Sequence, residues 1–300
     1  MRAALAAAAL ALLLSGCSAG ERKLTRTIPA LDTIVTVTLY SYADPSTLDR
    51  ALDLCRELEP SLTRPVSANA AAIPVIEEGL RYGELTGGMF DITIGRVTAL
   101  WDFKAETAVP PDPAALAAAL ATVGYEQARI ADGVLLMGKG GEIDLGGIAK
   151  GWIADRMADL LRAEGASGVV DLGGNIVTVG ENPDAADGKW RVAVQKPFGS
   201  PGEYTKILAV GEVSVVTSGV YERYFEYGGK RYHHIINPRT GQPAETGLLA
   251  VTVVSERSVD GDALSTSAFL LGAEAGAELI RGAGASAVFV LEDGSVEEVN

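Results

Sequence analysis

Alternating apolar and polar residues predict β-strands in two parts of the chain. Residues 33–42 begin Thr-Ile-Val-Thr-Val-Thr-Leu-Tyr, a run of β-branched residues with one apolar face. Similar patterns predict five further strands, at residues 190–195, 206–210, 214–217, 248–255 and 287–291. The last third of the chain is therefore predicted to be mostly sheet.

Apolar residues at helical spacing predict five helices. Asp44 and Ser46 open the first, which carries Cys55 on its apolar stripe. The others are predicted at residues 76–85, 114–123, 148–164 and from near Asp262 to Leu271. A strand-rich chain with a few amphipathic helices predicts an α+β fold.

One short motif occurs twice. Asp144-Leu145-Gly146-Gly147 recurs as Asp171-Leu172-Gly173-Gly174, and the predicted helix at 148–164 lies between the two copies. With Asp144 at the end of a strand, the stretch is predicted to be a strand, a glycine turn, a helix and a strand, which is the length of a βαβ unit. Neither glycine turn has the pattern Gly-x-Gly-x-x-Gly, so a Rossmann dinucleotide site is not supported.

The N-terminus has the pattern of a targeting signal. Residues 1–14 contain one Arg before an unbroken Ala/Leu run, too short to span ~30 Å of hydrocarbon. Leu14-Ser15-Gly16-Cys17 resembles a bacterial lipobox, in which the Cys is lipidated; a plain secretory signal is the alternative. We expect a signal peptide at 1–16, a tether at 17–27 and one domain at 28–300. The mature protein is then extracytoplasmic and lipid-anchored to the bacterial cell membrane through Cys17.

The chain contains two cysteines. With Cys17 lipidated, Cys55 is alone and no disulfide framework forms within the chain. The helical stripe around Cys55 favours a buried small hydrophobe over a nucleophile.

Composition and charge narrow the function classes. Hydrophobic residues make up 48% and charged residues 21% of the chain, which is ordinary for a globular protein. The net charge of −14 repels nucleic acid and anionic lipid headgroups, so we expect no nucleic-acid partner. A protein this acidic has to neutralise a diphosphate ligand locally, with a metal or with backbone amides.

Four candidate site segments interrupt otherwise buried patterns with glycines and polar groups. They are residues 87–95, residues 142–151, residues 217–223 together with 231–241, and residues 260–266. In the last, Asp262 and Thr266 are four apart on a predicted helix and share a face. Carboxylate, hydroxyl and turn carbonyl oxygens are the ligands that Mg²⁺ prefers, whereas zinc would need a Cys/His cluster.

Each candidate has a structural alternative. Asp262 could be only an N-cap, Asp144 only the cap of a turn, and the Lys150 ammonium simply solvated. His233 and His234 could be strand residues on opposite faces, one exposed and one packed.

Together these segments resemble the ApbE family of FAD:protein FMN transferases over nearly all of the mature chain. The motifs that carry the resemblance are Asp32-Thr33, Gly88-Met89-Phe90-Asp91, Leu100-Trp101-Asp102-Phe103, residues 144–151, 171–175, 217–221, 234–241 and 262–266. The resemblance implies an α+β, ApbE-like, two-lobed architecture with the flavin nucleotide between the lobes.

The resemblance also implies a magnesium site. Asp262 and Thr266 are expected to bind Mg²⁺ by side chain, with Ser265 adjacent and the carbonyl of Gly147 completing the site.

The same resemblance assigns residues to FAD and to catalysis. His234 takes the place of the family's catalytic histidine. Leu31 stands where many members have Met. The residues expected along the FAD are Leu31, Phe90, Asp91, Asp144, Lys150 and Ile235.

The implied activity is Mg²⁺-dependent transfer of FMN from FAD to a Thr or Ser hydroxyl in a flavinylation motif of an acceptor flavoprotein, releasing AMP. An FAD pyrophosphatase and a non-catalytic flavin-binding lipoprotein are the alternatives. Two departures from the family pattern bear on this. Residues 62–69 stand in place of a longer segment, which predicts a shortened flavin-side wall. Asn237-Pro238 replaces the usual Asp-Pro, which keeps a turn and removes a charge.

Overall fold

The computed structural model describes residues 23–40, 44–63, 66, 69–103, 105, 107–200 and 202–300. Within them the strands are β1 (Leu24–Ala30), β2 (Thr33–Tyr40), β3 (Arg129–Ala131), β4 (Val134–Leu136), β5 (Ser167–Leu172), β6 (Asn175–Val179), β7 (Trp190–Gln195), β8 (Tyr204–Val210), β9 (Ser214–Gly219), β10 (Tyr224–Tyr227), β11 (Lys230–His233), β12 (Leu248–Ser255), β13 (Ser286–Leu291) and β14 (Val296–Val299). The helices are α1 (Ser46–Leu62), α2 (Ile73–Leu85), α3 (Gly95–Thr98), α4 (Pro113–Leu120), α5 (Ala149–Ala163), α6 (Ser258–Leu271) and α7 (Ala273–Gly282).

An eight-stranded antiparallel sheet forms the centre of the fold. Its order is β1-β2-β5-β6-β9-β12-β13-β14. In β2 the alternating residues Val35, Val37 and Leu39 are buried, as the period-2 pattern predicts. Helices α1, α5 and α6 pack with this sheet and with each other, and their apolar faces form the main core.

A second, smaller core lies outside the sheet. It is centred on Trp101 and Ile236, with Val97 of α3 and Leu116 of α4. The two-stranded hairpin β10–β11 covers it with the rings of Phe225 and Tyr232. These two cores, one built on a large sheet and one on short helices and a hairpin, confirm the predicted α+β class.

Most predicted elements are present, with shifted ends. The predicted helices correspond to α1, α2, α4, α5 and α6. No sequence pattern predicted α7 or the edge strands β1 and β14. Helix α6 begins at Ser258, so Asp262 lies inside it and cannot be its N-cap. Asp155 of α5 takes that role, because its carboxylate accepts hydrogen bonds from the N–H groups of Ser258 and Val259.

The predicted βαβ unit is wrong. Residues 142–147 form no strand, only a bridge between Glu142 and Ile94, and β5 pairs antiparallel with both β2 and β6. The second copy of the repeated motif is instead the tight turn between β5 and β6, where Gly173 and Gly174 have positive φ. A Cβ on Gly173 would lie 2.0 Å from the Thr33 hydroxyl, so close packing requires glycine at this position of the motif.

Other predictions concern the N-terminus and Cys55. Cys17 and the predicted signal peptide lie outside the described residues. Residues 24–27 of the predicted tether belong to β1, so the sheet begins before residue 28. Cys55 is fully buried, and burial raises the pKa of its thiol to about 11, which favours the packing role. None of the helices in the described part of the chain has the length and apolarity that a membrane span requires.

Candidate functional site

A cavity of about 560 Å³ opens between the two cores. Phe90 and Ile92 of the main core line one wall, and Trp101 and Ile236 of the smaller core line another. This volume lies within the range of roughly 300–1,000 Å³ that small-molecule and cofactor sites occupy.

The structure brings nearly all of the predicted site residues to this cavity. The predicted residues that line it are Leu31, Phe90, Asp91, Asp144, Gly147, Lys150, His234, Ile235, Asp262 and Thr266. Ser265 is the exception, because its side chain is buried behind the wall. Its hydroxyl is 2.9 Å from that of Ser218 in β9 and donates to the carbonyl of Asp262 at 3.0 Å.

Three predicted metal ligands lie close together at one corner. A Cβ on Gly147 would lie 3.5 Å from the Thr266 hydroxyl and 3.1 Å from the ring of Phe90. The Asp262 carboxylate accepts a hydrogen bond of 2.9 Å from the N–H of Gly151, at the start of α5. The glycine turn and α6 therefore bring Gly147, Thr266 and Asp262 to the same part of the cavity wall.

The oxygen donors at this corner fit a hard divalent cation. Asp262 is 4% exposed, and burial raises the pKa of its carboxyl while the nearby Lys150 cation opposes that rise. Asp262 forms no ion pair with another residue that the structure describes. No group of three or more His, Cys, Asp or Glu able to hold a metal occurs among the described residues. A single carboxylate with hydroxyl and carbonyl ligands suits Mg²⁺ that is also bound to substrate phosphates.

The charge of the cavity is unbalanced. Among its described lining residues, six are acidic: Asp32, Glu59, Asp91, Asp144, Glu222 and Asp262. Only Lys150 and Arg223 carry cationic side chains, and neither forms an ion pair with a residue that the structure describes. A polyanionic ligand therefore meets two available cations and an excess of negative charge.

Two of the predicted acids also hold the walls in place. Asp144 accepts hydrogen bonds from the Thr98 hydroxyl at 2.5 Å and from the Gly146 N–H at 2.8 Å, so it caps the glycine turn while lining the cavity. Asp91 accepts from the N–H and hydroxyl of Thr93 and from the N–H of Tyr125. Burial raises the pKa of Asp91, and these bonds oppose the rise.

The two histidines have different surroundings. His233 ends β11 away from the cavity, with Nε2 2.9 Å from the carbonyl of Ala244 and Nδ1 accepting from the N–H of Ile235. Its ring packs edge-on against Phe269. His234 lines the cavity, and its Nδ1 is buried without a hydrogen-bond partner among the described residues.

Electrostatics keep His234 neutral. Burial lowers its pKa well below the usual value, and the nearby Arg223 and Lys150 cations lower it further. The imidazole is therefore unprotonated at neutral pH, which is the form that a general base requires.

A strained turn forms the wall next to α1. Leu31 and Asp32, between β1 and β2, have φ values of 54° and 58°, which non-glycine residues adopt uncommonly. The N–H of Leu31 donates to the Glu59 carboxylate at 2.6 Å, which fixes this turn at the cavity. Leu62 and Thr63 line the same wall, while residues 64, 65, 67 and 68 of the shortened segment lie outside the described residues.

Several lining residues had no predicted role. Four of them lie in or near the candidate segments, but one sequence does not show which side chains face the cavity. These four are Thr98, Ser218, Glu222 and Arg223. Glu59 had no signal, because its position on α1 is that of a solvated acid. Asn237 keeps the turn function expected for it, since its side chain accepts from the N–H of Arg239 at 2.9 Å.

Comparison with known proteins places this fold and cavity in a family. The sequence profile of the ApbE family matches residues 32–289, most of the chain. The chain belongs to the ApbE family. An FAD:protein FMN transferase of Treponema pallidum is 38% identical over 76% of this chain and 68% of its own length. One from Klebsiella pneumoniae is 36% identical over 80% and 75%.

Solved ApbE structures have the same fold. The ApbE protein of Thermotoga maritima superposes with a TM-score of 0.85 at 28% identity, covering 93% of this chain and 97% of that one. The flavin transferase ApbE of Vibrio cholerae gives a TM-score of 0.81 at 26% identity, covering 93% and 96%. The two-lobed α+β architecture expected from the sequence is therefore that of the solved family members.

Proposed function

We propose that this ApbE protein is a Mg²⁺-dependent FAD:protein FMN transferase. The hydroxyl oxygen of an acceptor Thr or Ser attacks the phosphorus on the FMN side of the FAD diphosphate. That phosphorus forms a new bond to the acceptor oxygen, its bond to the AMP phosphate oxygen breaks, and AMP leaves. The product is a protein that carries FMN as a phosphoester.

The observation that carries this proposal is the position of His234. Its ring lines the cavity in the neutral form, and no described residue satisfies its Nδ1. As general base, His234 takes the proton of the acceptor hydroxyl during attack. His233 is unsuited to that role because both of its ring nitrogens have partners in the protein.

The charge of the cavity supports a requirement for Mg²⁺. Asp262, Thr266 and the carbonyl of Gly147 would hold the ion. When bound, Mg²⁺ would offset the negative charge of the diphosphate and make AMP a better leaving group. Without it, an anionic substrate would enter a cavity with six acidic side chains and two cations.

The protein's own groups orient the diphosphate. Lys150 and Arg223 form no ion pair with a described residue. Phosphate oxygens would therefore contact these two cations without displacing a carboxylate. Ala149 and Lys150 stand at the N-terminus of α5 and line the cavity, so the positive end of the helix dipole favours negative charge there. These groups would also stabilise the extra charge that develops as the hydroxyl attacks.

We further propose that the mature protein is held to the outer side of the cytoplasmic membrane by a lipid on Cys17. The support is the lipobox pattern at residues 14–17. Such a location would place the enzyme beside acceptor flavoproteins that act outside the cytoplasm.

The test is mass spectrometry of an acceptor. A Thr-containing domain that carries FMN in its mature form is prepared without flavin and incubated with the enzyme, FAD and Mg²⁺. We expect a mass gain equal to one FMN phosphoester, absent when the acceptor Thr is replaced by Ala or when Mg²⁺ is chelated. Release of FMN and AMP with the acceptor unmodified would establish a pyrophosphatase instead.

A further inference from the structure

An exposed aromatic cluster lies on the β10–β11 hairpin and the loop between β7 and β8. We call Phe198, Tyr221, Tyr224 and Arg231 the aromatic patch. The Phe198 ring packs edge-on against both tyrosines, with centroids 6.0 Å and 5.8 Å apart. The Arg231 guanidinium lies 4.1 Å from the Phe198 ring centroid and 4.9 Å from that of Tyr224. Phe198 remains 44% and Tyr224 38% exposed, so the cluster presents apolar surface to solvent.

The patch adjoins residues of the cavity along the chain. Tyr221 precedes Glu222 and Arg223, which line the cavity. Tyr224 is the register partner of His233, and the N–H of His234 donates to the carbonyl of Arg223 at 3.1 Å. The patch therefore begins within a few residues of the proposed base.

The hairpin that carries the patch is fixed from its other face. Side chains alternate along β10 and β11, so Phe225 and Tyr232 point away from Tyr224 and Arg231. Phe225 and Tyr232 stack on each other at 5.3 Å, and both pack against Trp101, a wall residue of the cavity. The patch is thus presented on a packed support that also forms part of the site.

Phe198 lies in the loop between β7 and β8 with a φ of 55°. A bulky non-glycine residue in this region is strained. Burial in a core does not offset that strain, because Phe198 belongs to neither core and is 44% exposed. A strained backbone that holds an exposed ring is typical of a binding surface.

Resting on the proposed function, we propose that the aromatic patch is the docking surface for the segment of the acceptor protein that carries the Thr or Ser hydroxyl. A protein substrate needs surface outside the cavity, next to the base. Exposed aromatic residues with a stacked Arg have the composition of protein–protein hot spots. Strand β11, which carries Arg231, continues directly into His234.

The patch also indicates the chemistry of the docking segment. Arg231 is already paired with Glu226 at 3.2 Å and stacked on the rings, so its charge is balanced and the exposed parts of the rings are the available surface. That surface suits an apolar or proline side chain in an extended segment, a few residues from the reacting hydroxyl. An acidic anchor is not expected here.

The test compares kinetics for acceptor and for FAD. In a Phe198→Gly/Tyr224→Ser double variant, Gly relieves the strain at position 198, so folding should be retained. As acceptor probe we choose a bacterial domain that carries FMN on a threonine, purified without flavin. We expect its KM to rise at least about tenfold, as loss of aromatic hot spots predicts. FAD affinity, followed by flavin fluorescence, should change less than about twofold. Binding of the Thr→Ala form of the same domain, which cannot react, should weaken in parallel.

Tyr227→Ser is the matched control. Tyr227 is 51% exposed on the same hairpin but three residues from Tyr224 toward the turn, about 10 Å away in an extended strand. Its acceptor KM should equal that of the unmodified enzyme.

Each outcome decides between the two proposals. An unchanged acceptor KM in a double variant that still transfers FMN would overturn the docking surface alone. Loss of FAD affinity would assign the patch to the flavin wall, and loss of self-association with unchanged acceptor KM would assign it to a contact between copies of this chain. Failure of the unmodified enzyme to label the acceptor would overturn the transferase, and the docking surface with it.

Discussion

At the scale of single residues, the two adjacent histidines separate catalysis from packing. His234→Ala should retain FAD binding while FMN transfer falls roughly 10²–10⁴-fold, the usual contribution of a general base. Transfer is measured by in-gel flavin fluorescence and binding by fluorescence titration on the same preparation. His233→Ala is the matched control, because it removes hydrogen bonds to Ala244 and Ile235 and should lower stability by about 1–3 kcal/mol with little loss of turnover. Similar transfer by His234→Ala and unmodified enzyme would show that the base is another residue.

The metal site yields a second residue-scale prediction. Asp262→Asn keeps an oxygen for the hydrogen bond from Gly151 but removes the negative charge, so folding should persist while the Mg²⁺ concentration for half-maximal transfer rises at least about tenfold. Thr266→Ser keeps the hydroxyl and should be nearly unaffected, whereas Thr266→Val should be intermediate. The measurement is a Mg²⁺ titration at saturating FAD. An unshifted titration for Asp262→Asn would remove this carboxylate from the site.

Site residues could be predicted where they stand in a family motif. They could not be predicted where only the folding of the chain brings them to the cavity. Asp262 and His234 stand in such motifs, and both line the cavity. Glu59 and Ser218 reach their positions through the packing of α1 and β9, which one sequence does not reveal. Ser265 shows the converse: its motif placed it at the metal, but its position on α6 turns the hydroxyl toward Ser218.

At the scale of elements, periodicity predicted the presence of helices and strands better than their ends. Helix α6 begins four residues before Asp262 because its N-cap contact comes from another helix, through Asp155. Each copy of the repeated Asp-Leu-Gly-Gly motif predicted a glycine turn. The first turn forms part of a cavity wall, and the second joins β5 and β6 as a hairpin. Local sequence specifies that both are turns, while tertiary contacts decide which strand each turn joins.

The cap of α6 by Asp155 gives an element-scale prediction. Asp155 is buried, and Asp155→Ala leaves two helix N–H groups without partners, so unfolding free energy should fall by about 2–4 kcal/mol. Because α6 carries Asp262 and Thr266, the apparent Mg²⁺ affinity should fall as well. Urea denaturation measures the first effect and a Mg²⁺ titration the second. Asp159→Ala, on the same helix but half exposed with only surface ion pairs, should cost less than about 1 kcal/mol. Equal stability of the two variants would contradict the capping role.

At the scale of the whole molecule, the pattern of strands and helices along the chain predicted the class of fold and little of its topology. Strand-rich segments and amphipathic helices sufficed for α+β. They did not specify that β9 lies between β6 and β12, because strand order depends on contacts between residues far apart in sequence. The location of the cavity between two cores follows from that topology, with β10–β11 and α3 on one side and the large sheet on the other.

Net charge and lipid anchoring together give the last prediction. The chain carries a net charge of −14, and signal-peptide cleavage removes only one charged side chain, Arg2. Anionic headgroups therefore repel the folded protein, and no electrostatic attraction supplements the lipid. Cys17→Ala should consequently release soluble protein or leave unprocessed precursor, with no salt-sensitive fraction on the membrane. Fractionation at low and high salt, with mobility on a gel as the readout of lipidation, measures this directly. Membrane association and mobility unchanged by the substitution would mean that another part of the chain holds the protein there.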